Sequence, residues 1–109
     1  MEQKIMAVKK LQDLQTYDEE KMAKQIVFNE QKSKTIVFNL LPGQVIPRHG
    51  HPHKNAFVFV IEGEGICSLD DIDSAIQRGD VIHCGSHQTI SIKNTGAASM
   101  TVYVVLAEE

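Results

Sequence analysis

Short runs of β-branched and aromatic residues alternate with turn residues along most of the chain, from Lys24 onward. The runs read KQIVFNE, SKTIVFNLL, AFVFVIE, GICSL, HQTISIK and SMTVYVVLA. The turn residues between them include Pro42-Gly43, Gly63 with Gly65, Asp70-Asp71, Gly79-Asp80 and Asn94-Thr95-Gly96. Many short strands with repeated turn signals indicate an all-β sandwich or barrel, and no room is left for βαβ crossovers.

One predicted strand differs from the others because it is apolar on both faces. Residues 56–61 read AFVFVI, whereas the strand before it alternates Ile36, Phe38 and Leu40 with other residues. A strand with two apolar faces must be covered on both sides. We expect Ile36, Phe38, Phe57 and Phe59 to fill a barrel interior. The opposite face needs a second sheet or another subunit, which favours a homodimer.

The first 23 residues predict a short helix or an extended arm. Val8, Leu11 and Leu14 have helical spacing, although the apolar stripe is narrow. Thr16 and Glu19 match a capping box, which predicts a helix over about 17–23. The alternative is an arm that docks on a partner subunit. A length of 109 residues allows one domain, 1–109, with a β core at about 24–107 and an arm at about 1–23.

Composition and charge exclude several classes of partner. The net charge of −3 gives no reason to expect nucleic acid or an anionic membrane as a partner. No apolar run is long enough to span a bilayer, and the N-terminus lacks the apolar core of a secretory signal. We therefore expect a cytoplasmic protein in which Cys67 and Cys84 remain thiols, and no CxxC pair indicates a redox or zinc motif.

Candidate chemistry is concentrated in the segment RHGHPHKN, residues 48–55. Side chains two apart on a strand point the same way, so His49 and His51 project together. Two imidazoles placed in this way suit a single transition metal ion. The alternative interpretation is that these are exposed histidines with no role.

The surrounding residues resemble the two motifs of the cupin family. Gly43, the pair His49-x-His51, and an apolar strand ending at Gly63 are similar to the first motif. Gly79 and Asn94 are similar to the ends of the second. The resemblance covers about residues 33–106. It implies a small jelly-roll barrel, commonly dimeric, with a site inside the barrel mouth.

The resemblance also implies a ligand set, which this chain matches only in part. The usual site takes two histidines and a glutamate from the first motif and one histidine from the second. His49 and His51 match the histidines of the first motif. Asn55 or Ala56 stands where the glutamate is expected, with the count from Gly63 favouring Ala56, and Ile90 stands at the histidine of the second motif.

Other histidines could replace the missing ligands. His53 keeps the direction of the pair if the chain stays extended through Pro52, and His87 could reach the site from a loop. We therefore predict metal ligands at His49, His51, His53 and His87, with His83 or Cys84 as further alternatives. A set of nitrogen ligands suits zinc, nickel or copper, and iron is a further option. The alternative is that the site binds no metal.

Two functions from different classes remain. The first is a non-catalytic binding module that holds a metal ion or a small molecule inside the barrel. The second is a metal-dependent enzyme, of the dioxygenase or isomerase class, with an all-histidine site. The missing carboxylate and the isoleucine at position 90 favour the first.

Overall fold

The computed structural model describes residues 7–109, and strands make up most of that range. The strands are β1 (Ala23–Asn29), β2 (Ser33–Leu40), β3 (Val45–Gly50), β4 (Lys54–Glu62), β5 (Glu64–Leu69), β6 (Ile72–Gln77), β7 (Val81–Cys84), β8 (Thr89–Asn94) and β9 (Met100–Glu108). No helix within residues 7–109 has the length and apolarity needed to cross a bilayer.

The strands form two antiparallel sheets packed face to face. The first sheet has the order β1-β2-β9-β4-β7 and the second has the order β3-β8-β5-β6. Their facing sides enclose one apolar core, to which both sheets contribute, for example Leu40 and Val102 from the first and Ile90 and Ile92 from the second. The all-β prediction is confirmed, with the two-layer arrangement of a jelly-roll barrel.

The doubly apolar strand β4 points its smaller side chains into the barrel. Ala56, Val58 and Val60 are buried in the core, whereas Phe57 and Phe59 are 40% and 39% exposed on the outer face of the first sheet. The expectation that these two phenylalanines fill the interior is therefore wrong. When both faces of a strand are apolar, the period of two does not say which face is inside.

The predicted helix over about 17–23 is also wrong. The helical structure in residues 7–109 is a single 3₁₀ turn at Leu11–Leu14. The Thr16 hydroxyl accepts a hydrogen bond from the Gln25 side-chain amide, 2.8 Å away, instead of capping a helix. The Asp18 carboxylate accepts the Glu20 backbone N–H at 2.8 Å, a local turn that competes with helix formation.

The N-terminal segment is instead an arm that lies on the first sheet of its own chain. The Asn39 amide donates to the Leu14 carbonyl at 2.7 Å, and the Tyr17 hydroxyl lies 3.0 Å from the Thr101 hydroxyl. Asn39 and Thr101 are fully buried, so these contacts satisfy polar groups that would otherwise lack partners. Residues 1–6 of the predicted arm lie outside the described residues.

Candidate functional site

A β-bulge in β3 turns the histidine pair toward the barrel interior. Ile46 pairs with Ile92 and His49 pairs with Ile90, so Pro47 and Arg48 lie opposite the single residue between those partners. The extra residue reverses the alternation along the strand, and Ile46 and His49 consequently line the same pocket. Proline has no N–H to donate, so within sheets it occurs on edge strands and at bulges. Pro47 meets both conditions, because it lies in the bulge and β3 is an edge strand.

His49 and His51 lie in contact at the barrel mouth. Their ring centroids are 4.7 Å apart and the ring planes are nearly perpendicular, at 87°. Nδ1 of His49 lies 2.7 Å from the Pro47 carbonyl oxygen. Because a carbonyl only accepts hydrogen bonds, this Nδ1 carries the hydrogen, which leaves Nε2 as the acceptor of the neutral ring. The same proline therefore forms the bulge and fixes the tautomer.

His51 has a buried ring nitrogen with no hydrogen-bond partner. Within residues 7–109, this Nδ1 is the single buried side-chain nitrogen or oxygen atom that has no hydrogen-bond partner. Burial of the ring, followed by the charges of His49, Lys54, Lys24 and Lys34, lowers the pKa of His51 from its ordinary value of 6.5. Both causes favour the neutral form of the ring. Buried polar atoms are normally satisfied, so this nitrogen is available to a ligand or a water molecule.

Both imidazoles line two adjoining spaces, a small apolar cavity and a wider opening. The inner cavity, about 20 Å³, has room for one water-sized molecule and is lined mainly by isoleucine, valine, leucine and phenylalanine side chains. The opening above it has a volume of about 420 Å³ and shares Ile36, Phe38, Ile46 and Leu106 with the cavity as its floor. We call this opening the mouth cavity.

The two positions that depart from the cupin ligand pattern line the inner cavity. Ala56 and Ile90 are 2% and 4% exposed, and both line the inner cavity beside His49 and His51. Ile90 is the direct cross-strand partner of His49. At the two positions that the resemblance assigns to a glutamate and a histidine, this chain therefore has hydrocarbon side chains beside the pair.

His53 lies outside the pocket because the chain turns at Pro52. The Lys54 N–H donates to the His51 carbonyl at 3.0 Å, and His53 has a φ of 67°. Proline at the second position and a positive φ at the third are the features of a type II turn. The chain is therefore not extended through Pro52, and His53 is an exposed residue whose Nδ1 lies 3.7 Å from a Glu109 carboxylate oxygen.

The remaining candidates do not line either space beside the pair. His87 is exposed in the turn between β7 and β8. His83 is exposed on the outer face of the first sheet, where it stacks on Phe57 and its Nε2 lies 2.8 Å from the Asn55 side-chain oxygen. Cys84 is buried inside the barrel, and burial, chiefly, raises the pKa of its thiol above the ordinary value, which disfavours the thiolate that a metal requires.

The residues present do not fit a resident transition metal. Within residues 7–109, no group of three histidine, cysteine, aspartate or glutamate side chains is placed to hold an ion. The predicted set of four histidines is therefore not assembled: His49 and His51 are together, and His53 and His87 do not join them. Catalytic zinc sites use three protein ligands and structural sites use four, whereas this pair supplies two.

Sequence reasoning missed three lysines at the mouth cavity. Lys24, Lys34 and Lys54 line it together with Arg48 and the histidine pair. The alternation of side chains along a strand could have revealed two of them, because Lys34 lies two residues before Ile36 and Lys54 lies two residues before Ala56. Side chains two apart share a face, so both lysines belong to the inner face of their strands.

Comparison with known proteins agrees with the fold. A model of the cupin domain matches residues 36–106. The solved structure of TT1209 from Thermus thermophilus is 27% identical, with a TM-score of 0.89 over 94% of this chain and 98% of that one. An uncharacterized conserved protein with a double-stranded beta-helix domain from Klebsiella pneumoniae is 22% identical, with a TM-score of 0.88 over 93% and 89% of the two chains.

A third solved structure carries the name of an enzyme. A predicted oxalate decarboxylase from Thermotoga maritima is 22% identical, with a TM-score of 0.77 over 81% of each chain, and at this identity the likeness shows the fold alone. The search of curated proteins finds no match. The family match covers most of the chain and the fold agrees with it, so the protein belongs to the cupin family.

Proposed function

We propose that this cupin is a binding module whose mouth cavity holds a small molecule, oriented by His49 and His51, with no resident metal. The observation that carries the proposal is the replacement of two donor positions by buried hydrocarbon. Ala56 and Ile90 stand at the positions where the family pattern has a carboxylate and an imidazole, and both line the inner cavity next to the pair.

The shape and chemistry of the mouth cavity support a small-molecule ligand. Its volume of about 420 Å³ is within the range typical of such sites, which is roughly 300–1,000 Å³. Volume alone does not distinguish it, because surface grooves of 440, 480 and 530 Å³ lie elsewhere on the protein. The mouth cavity differs in combining an apolar floor with two imidazoles, one of which has an unpartnered nitrogen.

The two imidazoles are suited to orienting a ligand. Nε2 of His49 is an acceptor in the neutral ring because the Pro47 carbonyl holds the hydrogen on Nδ1. The neutral ring of His51 has one donor and one acceptor nitrogen, and its Nδ1 has no protein partner. A few such polar atoms above an apolar floor fix the orientation of a ligand whose remaining surface is buried.

The cytoplasm is the compartment we propose for this activity. Cys67 and Cys84 are both free and buried within the barrel. Burial, chiefly, raises the pKa of the Cys67 thiol to about 11, so the group stays protonated and unreactive near pH 7. Free thiols of this kind are compatible with a reducing compartment.

Metal content and ligand binding together test the proposed function. Protein purified without added metal should contain far less than one equivalent of zinc, nickel, copper or iron by elemental mass spectrometry. In a ligand-observed NMR screen of small fragments, the native protein should bind molecules that a His49→Ala, His51→Ala variant of unchanged fold does not bind.

One outcome would favour the metal-dependent enzyme instead. Stoichiometric metal in the native protein that disappears in the double variant would show that the two imidazoles hold an ion despite the missing ligands. A screen in which the native protein and the double variant bind the same fragments would remove the mouth cavity as the site.

A further inference from the structure

We infer that the ligand of the mouth cavity is a small organic anion, with a carboxylate or phosphate group on a ring of lysines and a short apolar body on the cavity floor. This inference rests on the proposed function and specifies the chemical class of its ligand. It is carried by the charge of the residues that line the opening.

The lining of the mouth cavity is strongly basic. Lys24, Lys34, Arg48 and Lys54 line it, and among residues 7–109 no aspartate or glutamate does so. The protein as a whole has 14 acidic and 11 basic residues, for a net charge of −3. The mouth therefore has a charge opposite to that of the whole molecule, and such a concave patch attracts and concentrates anions.

Three strands of the first sheet bring the lysines together around the histidine pair. Lys34 lies at the start of β2 and Lys54 at the start of β4, on the two sides of β9. Lys24 lies on β1, paired with Phe38 of the cavity floor. Their proximity to the pair is reflected in His51, whose pKa all three lysines help to lower.

These lysines are not neutralised by the protein within residues 7–109. None of the three forms a salt bridge there; the ion pairs are Arg48 with Asp71, at 3.8 Å, and His53 with Glu109. The Lys24 amino group lies 6.0 Å from the centre of the Phe38 ring. Glu108 is the cross-strand partner of Lys54, but it is exposed and does not line the cavity.

Arg48 contributes less than the lysines. Its guanidinium donates a hydrogen bond to the Thr89 hydroxyl at 3.3 Å and forms an ion pair with exposed Asp71. Part of its positive charge is therefore already compensated within the protein. Lys34 and Lys54 are half-buried, and charges in partly buried positions are screened less by salt than those on an open surface. These two lysines are therefore the main candidates for contact with the anion.

The floor of the mouth cavity favours a ligand that also has an apolar part. Ile36, Phe38, Ile46 and Leu106 form an apolar surface beneath the lysines and histidines. A ligand with an anionic part and an apolar part can contact the lysines with the first and the apolar floor with the second. The same positive ring disfavours a divalent cation, in agreement with a site that lacks carboxylate ligands.

The test is isothermal titration calorimetry with three probes of similar shape. Benzoate and phenyl phosphate carry an anionic group, and benzamide is a neutral counterpart of benzoate. The native protein should bind at least one of the two anions about tenfold more tightly than benzamide, and the difference should shrink as ionic strength rises. Comparison of benzoate with phenyl phosphate distinguishes a carboxylate from a phosphate ligand.

Charge variants identify the residues responsible. Lys34→Gln and Lys54→Gln should each weaken binding of the preferred anion about threefold or more and leave benzamide binding unchanged. The control is Lys93→Gln, which removes an exposed lysine of β8 that does not line the mouth and should leave both affinities unchanged. Thermal unfolding of each variant establishes that the fold is retained.

Failure of this inference is distinguishable from failure of the proposed function. Equal binding of benzoate, phenyl phosphate and benzamide, all lost in the His49→Ala, His51→Ala variant, would overturn the anion and keep the small-molecule site. Anion binding that Lys93→Gln weakens as much as Lys34→Gln does would also overturn it, because the attraction would then arise from the whole surface. If none of the three probes binds, the inference is wrong, and the fragment screen decides the proposed function separately.

Discussion

Two hydrocarbon side chains, Ala56 and Ile90, determine what the histidine pair can do. They lie where a metal-binding cupin is expected to carry a carboxylate and an imidazole, and they are almost fully buried. A metal at His49 and His51 would therefore have two protein ligands, and the lysines around the pair would repel it. The same replacements make the inner cavity beside the pair apolar, and the apolar floor of the mouth cavity adjoins it.

Restoring the two missing donors should create a metal site. We predict that the double variant Ala56→Glu, Ile90→His binds zinc or nickel with one-to-one stoichiometry in calorimetry. Without metal the variant should be less stable than the native protein, because it buries a carboxylate and an imidazole in a hydrocarbon pocket. Metal at about 100 times its dissociation constant should return about 2.7 kcal/mol of that stability.

The single variants are the controls for this prediction. Ala56→Glu and Ile90→His should each lose stability and regain less of it with metal than the double variant does. If the double variant folds and metal neither binds nor stabilises it, then positions 56 and 90 are not the missing ligand positions of the family pattern.

The single-residue predictions were correct where a motif defined the position and wrong where local geometry decided. The spacing of His49 and His51 predicted that they project together, and Ala56, which the count from Gly63 favoured as the expected glutamate position, lines the inner cavity. The inward direction predicted for Phe57 and Phe59 was wrong, because a strand with two apolar faces has no pattern to orient it. The smaller Ala56, Val58 and Val60 fill the interior instead.

At the scale of elements, two prolines control the segment that carries the histidines. Pro47 lies in the bulge that turns His49 inward, and Pro52 begins the turn that sends His53 outward. The sequence shows both prolines but not their effects. A bulge is a property of strand pairing, and an X-Pro segment is compatible with either a turn or an extended chain.

The N-terminal element shows why a capping box did not produce a helix. Thr16 and Glu19 have the correct spacing, but the contacts made by the arm are long-range: Asn39, Thr101 and Gln25 hold Leu14, Tyr17 and Thr16 against the sheet. These partners lie elsewhere in the sequence and buried polar groups require them, so tertiary packing overrides the local preference.

For the whole molecule, the all-β architecture was predictable because it depends on repeated short strands and turn residues. The homodimer is not tested by a single chain and stays a prediction. Its structural basis is the apolar outer face of β4 and β7, where Phe57, Phe59 and Val81 are exposed at 40%, 39% and 68%. A sheet face of this kind can be covered by the same face of a second copy.

We predict that light scattering coupled to size exclusion gives the mass of a dimer for the native protein and of a monomer for Phe59→Glu. A charge buried without a partner at the centre of an interface opposes association. The control is Ile72→Glu, which adds the same charge at a residue that is 72% exposed on the second sheet, and it should remain dimeric. A native monomer, or a dimer unaffected by Phe59→Glu, would contradict the assignment of this face.

The most direct test of the account is to locate the bound ligand among the isoleucine methyl groups by NMR. Benzoate added to methyl-labelled protein should shift Ile36, Ile46 and Ile90, which line the cavities, and leave Ile26 and Ile72, which are exposed elsewhere, unchanged. Saturable shifts confined to the cavity isoleucines are the predicted result. Shifts confined to Ile26 or Ile72, or saturable binding that leaves the cavity methyl groups unmoved, would contradict the claim that the barrel mouth is the binding site.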